Sequence, residues 1–159
     1  MIKLTRIVPE GGIVVPLAAS DRDGAVAELV EALVSSGAVR AELRQELTQR
    51  ILARERIGST GFGKGVAVPH VKHRDITSMV AGIGLSSHGI DFVALDRQPV
   101  FSVFLLLSPE DRPEDHLHAM EVIFRNLSKD TFRRFLRQAQ SPADVRTLLE
   151  EADGQGLNG

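Results

Sequence analysis

His70 stands directly behind a proline in the stretch "GFGKGVAVPHVKH", residues 61–73. Histidine ordinarily titrates near pH 6.5, so much of it is neutral near pH 7. A neutral imidazole nitrogen is a nucleophile. Pro69 fixes its own φ and holds Val68 extended, so His70 is expected to leave a short strand at a constrained angle. Upstream, Gly61, Gly63 and Gly65 would let backbone N–H groups approach a bound anion closely, with Ser59 and Thr60 offering hydroxyls or caps. No GK[ST] ending follows the glycines, so this is not a nucleotide-binding loop. The same residues also fit a plain glycine turn followed by a half-buried structural histidine.

Four other histidines complete the inventory. His116 and His118 lie two apart in a helical pattern, and two residues apart on a helix point in roughly opposite directions. His116 falls with Met120 and Ile123 at the border of an apolar stripe expected to include Leu117. His118 falls with Glu121 and Arg125 on a polar face. One faces inward and the other outward, and no histidine pair has chelating spacing on one helix face, so no metal is expected. His73 and His88 read as loop or surface residues. Asp96 stabilises the turn "ALDRQP", and Glu114 and Asp115 suit the first turn of a helix on dipole grounds alone.

Positioning these groups requires strands and helices in alternation. "GGIVVPLA" predicts a short strand closed by Pro16. Residues 20–37 predict a helix capped by Ser20 or Asp21 and stopped by Gly37, with Val26, Leu29, Val30 and Leu33 at helical spacing. A second helix follows over "RAELRQELTQRILARERIG". Strands are expected at 66–70, 79–86 and 100–107, the last apolar almost throughout, as in a strand covered on both faces. Helices return in "RPEDHLHAMEVIFRNL", "DTFRRFLRQA" and "SPADVRTLLEEA", the last with Ser141 as cap, Pro142 at the first position and Asp144 where a capping box puts its acid. The pattern predicts a single-domain α/β sandwich over residues 1–151, a central sheet with helices on both faces, followed by a disordered tail at 152–159.

Composition narrows the function. Hydrophobic residues make up 43% of the 159 and charged residues 25%, an ordinary folded chain. A net charge of −2 with pI near 6.2 offers no basic surplus for nucleic acid. Cysteine is absent, which excludes disulfides and thiolate sites. No apolar run approaches the length of a membrane span, and the N-terminus lacks a signal-peptide core, so a cytoplasmic protein without membrane insertion is expected.

The segment "RERIGSTGFGKGVAVPH", residues 54–70, closely resembles the active-site segment of the mannitol/fructose-type IIA proteins of the bacterial phosphoenolpyruvate-dependent sugar phosphotransferase system, and is most similar to their nitrogen-regulatory branch. "GIDFVALDRQPV" at 89–100, "HLHAM" at 116–120 and the final helices extend the resemblance. It implies an α/β sandwich with a mixed sheet. It implies that His70 accepts a phosphoryl group on Nε2 from the carrier HPr, or an HPr-like protein, and passes it to a IIB domain. The other ring nitrogen would have to be held, for which a backbone carbonyl is the expected partner. His116 matches the second histidine of the family's site, which assists at the phosphoryl group. Arg54 matches an arginine near that site, where a guanidinium would pair with phosphate oxygens; the same residue also fits a salt bridge at a helix end, with Glu55 or Glu46. No cofactor is implied. Val71 stands where the family very often has glycine, adding bulk beside the site but removing no reacting group. With no IIB or membrane domain in the chain, a free-standing regulatory protein that binds targets according to its phosphorylation state is the alternative reading.

Overall fold

Strand β6, Val100–Pro109, runs through the middle of a six-stranded mixed sheet and is buried at every position from Ser102 to Pro109. In the computed structural model, which describes residues 2–158, β6 pairs antiparallel with β5, Val80–Ile90, on one side. Beyond β5 lies β1, Ile13–Val14, in parallel. The other side of β6 carries β3, Val66–Ala67, and then β4, His70–His73, both parallel to it. An outer strand, β2, Gly61–Gly63, pairs antiparallel with β3.

Helices cover both faces, as the apolar run of β6 requires. On one face lie α2, Arg22–Ser35, and α3, Arg44–Ile57, burying Leu29, Leu33, Leu47 and Ile51 against Val103, Leu105 and Leu107. On the other lie α1, Leu4–Ile7, α4, Pro113–Leu127, α5, Asp130–Gln138, and α6, Pro142–Asn158. They enclose Phe104 and Leu106 with Ile123, Leu127 and Leu149. From Val103 to Leu107, odd positions of β6 thus serve one core and even positions the other, the period-2 alternation of a strand.

Local rules account for the helix ends. Asp21 accepts the Gly24 N–H at 2.7 Å as the cap of α2, and Gly37, at φ +83°, follows its last turn. Ser141 Oγ accepts the Asp144 N–H at 3.2 Å, and Asp144 returns a bond to the Gln140 N–H at 3.0 Å.

Two expectations change here. The segment from 66 to 70 is not one strand ending at His70. Pro69 has no N–H to give and interrupts the ladder, yet β3 and β4 keep a single register along β6, Val66 opposite Ser102 and His70 opposite Leu106. His70 therefore opens a strand instead of leaving one. The expected tail at 152–159 is also corrected. Helix α6 continues through Asn158, and Asp153 takes up the free N–H groups of α1: Leu4 at 2.7 Å and Thr5 at 3.2 Å, with the Thr5 hydroxyl at 2.6 Å. Met1 and Gly159, the outer limits of those two readings, lie outside the described residues.

Candidate functional site

Alternation along β3 and β4 decides which way His70 faces. Val66 and Val68 point into the core beneath α4 and α5, while Ala67 and Val71 pack with α2 and α3. His70 shares the parity of Val66 and Val68, so it emerges on the α4 side, half-buried. Val71 goes to the opposite face. The bulk expected beside the site is therefore absent from it, because the pleat carries that side chain through the sheet.

The ring of His70 folds back so that Nδ1 lies 2.8 Å from the Val68 carbonyl oxygen. A carbonyl can only accept, so Nδ1 carries the proton and donates it. In the neutral ring, Nε2 then holds the lone pair. The tautomer is set by the backbone two residues upstream, as anticipated for a nucleophilic Nε2.

His116 approaches from α4. Its ring centroid is 5.4 Å from that of His70, with the planes tilted by 48°. It is buried, whereas His118 on the opposite side of the helix is exposed, as their spacing predicts. His116 Nδ1 lies 2.7 Å from the hydroxyl of Ser108, itself fully buried in β6. Burial, then the neighbouring His70 and then the Lys72 ammonium push the His116 pKa down from 6.5 to about 4. At neutral pH this ring is uncharged and carries one N–H.

The remaining candidates divide. Thr60 gives both its hydroxyl and its backbone N–H to Glu55, the N–H at 3.1 Å, and Glu55 is almost fully buried. Ser59 donates to the Phe92 carbonyl at 2.9 Å and accepts the Gly61 N–H at 3.0 Å. Both hydroxyls thus brace the entry into β2. Gly61 is needed for close approach: a Cβ there would stand 2.9 Å from that of Ala94. Gly63, Lys64 and Gly65, all at positive φ, form the turn joining β2 to β3. An extended chain from Gly65 to His70 spans on the order of 16 Å. At that turn the Lys64 N–H meets the carboxylate of Asp96 at 3.2 Å. The glycines serve a hairpin, and the anion this turn binds is a side chain of the protein.

Arg54 is exposed at the end of α3, where Nη1 donates to the Gly58 carbonyl at 2.7 Å. It closes the helix end on a carbonyl, not on Glu55 or Glu46. His73 overturns its assignment to a loop or surface. It is the last residue of β4, buried on the α3 side, with Nδ1 accepting the Asp75 N–H at 3.0 Å and Nε2 3.3 Å from Glu46. Its alternation with Lys72 sends it inward. His88 is exposed, as expected.

Sequence reasoning passed over three residues: Ser108, Lys72 and Glu55 as the partner of Thr60. Ser108 carried a signal, a lone hydroxyl ending the apolar run "VFLLLS". Lys72 sits two residues beyond His70, which on a strand means the same face.

Comparison with known proteins bears on the family and the fold. Residues 6–152 match the family model described as "Phosphoenolpyruvate-dependent sugar phosphotransferase system, EIIA 2". A nitrogen regulatory protein of Escherichia coli is 37% identical over 111 residues, covering 69% of this chain and 68% of that protein. A fructose-specific EIIA component of Haloferax volcanii is 32% identical over 130 residues, covering 82% of this chain and 83% of the other. The crystal structure of the nitrogen regulatory protein IIA-Ntr from Neisseria meningitidis superposes with a TM-score of 0.82 at 27% identity, covering 91% of this chain and 97% of that one.

Proposed function

Since this chain belongs to the EIIA type-2 family of the phosphoenolpyruvate-dependent sugar phosphotransferase system, we propose that it carries a phosphoryl group on His70. The observation that supports this most directly is the 2.8 Å contact between His70 Nδ1 and the Val68 carbonyl, which leaves the Nε2 lone pair free. Nε2 attacks the phosphorus held by an HPr-like phosphocarrier. A bond from Nε2 to phosphorus forms as the bond to the carrier breaks, and the electron pair returns to the carrier's leaving atom. Transfer onward reverses the roles, with a IIB domain as acceptor. The protein would work in the cytoplasm, with its donor.

Phosphoryl transfer depends on positioning and on stabilising the equatorial oxygens. A neutral His116 donating from Nε2 would meet one of them. Arg54 could meet another after releasing the Gly58 carbonyl. The ammonium of Lys72, on the face of β4 that carries His70, adds positive charge nearby. Ser59, Thr60 and the three glycines act on the site only by shaping the chain that leads to it.

Similarity to proteins named nitrogen regulatory supports a second reading, in which the phosphate on His70 is a signal. A dianion at the sheet surface would then change which target protein docks there. The two readings share one chemical step and differ in the acceptor.

The decisive experiment incubates the protein with phosphoenolpyruvate, enzyme I and HPr, then locates the phosphate by mass spectrometry. Label on His70 alone, abolished in a folded His70→Ala variant, is the expected result. Label elsewhere, or undiminished label in the variant, would overturn the assignment.

A further inference from the structure

The hydroxyl of Ser108 has one hydrogen-bond partner among the described residues, Nδ1 of His116 at 2.7 Å, and the serine is fully buried. Two arrangements of protons satisfy that contact. In the first, Nδ1–H donates to Oγ. The serine's own proton is then buried with no acceptor, which is costly. In the second, Oγ–H donates to the Nδ1 lone pair. The buried hydroxyl proton then has its acceptor, and the one proton of the neutral ring must sit on Nε2, which is not among the buried side-chain atoms left without a partner in the described residues.

From this satisfaction argument we infer that Ser108 is a positioning residue of the site: it fixes His116 as the Nε2–H tautomer, so that the ring presents a donor toward an anion carried by His70. The inference rests on the proposed phosphoryl chemistry for its purpose, though the proton arrangement follows from the resting structure. The two rings, 5.4 Å apart, would hold opposite tautomers. A carbonyl acceptor gives His70 a bare Nε2, and a hydroxyl donor gives His116 a protonated one. Strand pairing explains how Ser108 comes to serve both. It lies opposite Lys72, two residues beyond the pairing of His70 with Leu106, so it faces the same side of the sheet as His70. A serine here interrupts an apolar strand, and the buried histidine above it is what makes a hydroxyl acceptable at that position.

Long-range proton–nitrogen correlation spectra of 15N-labelled protein at pH 7 test this without any partner. Expected is His70 protonated on Nδ1 and His116 protonated on Nε2. Loading His70 chemically with phosphoramidate should then shift the His116 Nε2–H signal. Ser108→Ala should give His116 a mixture of tautomers. It should also slow transfer from phospho-HPr by on the order of tenfold, part of the effect of one oriented donor, with the half-saturating HPr concentration unchanged. Ser108→Cys, similar in size but a weak donor, should fall between. Wild-type His116 protonated on Nδ1 would overturn the inference, as would an unchanged tautomer in Ser108→Ala. Failure of HPr to label the wild-type protein would instead sink the carrier reading, and the tautomer spectra would still decide the role of Ser108.

Discussion

The imidazole rings of His70 and His116 face each other at 5.4 Å between centroids, one rising from strand β4 and the other descending from helix α4. His118, on the same helix, is exposed. An oriented donor at developing charge is worth about 10²–10³ in rate. His116→Ala is therefore expected to slow transfer from phospho-HPr by roughly 10²-fold, and His118→Ala to leave it unchanged. Rapid-quench timing of both variants beside the wild type checks this. Equal rates would leave His116 a core residue only.

The lowered pKa of His116 has a consequence for stability. The folded protein binds this proton near pH 4, the unfolded chain near 6.5. Between those values the unfolded state binds more protons, so stability falls as pH drops through that window and is flat above it. The contribution is roughly 3 kcal/mol at full extent. Urea unfolding at pH 4.5 and pH 7 should show a larger loss for the wild type than for His116→Gln. An equal loss in both would assign the acid sensitivity to other groups.

Asp153 fastens the end of the chain to its beginning through the Leu4 and Thr5 N–H groups. Asp153→Ala should cost about 1–2 kcal/mol, the usual worth of a helix cap. Deleting residues 152–159 should cost at least as much. Thermal unfolding of the two variants measures both, and a deletion without effect would mean that the Asp153 contacts add nothing to stability.

Val93 holds φ at +53° while largely exposed, at 66%. A β-branched side chain is strained in that region. Val93→Asn should relieve the strain and raise stability by about 1 kcal/mol, read as an increase in the urea midpoint. A lower midpoint would mean that the valine is held by packing worth more than the strain.

What the sequence determined by itself was everything that depends on near neighbours. The nearly unbroken apolar run of β6, without polar alternation, announced a strand covered on both faces. Helical spacing separated His116 from His118, Asp21 and Ser141 announced their helices, and the setting of His70 marked it as the group to watch. These follow because periods of 2 and 3.6 and cap geometry are properties of a short stretch of backbone. Tertiary structure alone decided the rest. It turned the glycines 61–65 into a hairpin closed by Asp96, since glycine reports that backbone freedom is needed but not for what. It drew His73 into the core and sent Val71 away from the site, since the side of the sheet each takes depends on which helices pack there. Most of all, it set Ser108 under His116 and Asp153 over α1. Such pairs join elements remote in sequence or separated by a turn, and their energy comes from burial and exact hydrogen-bond distances that exist only once the layers have closed.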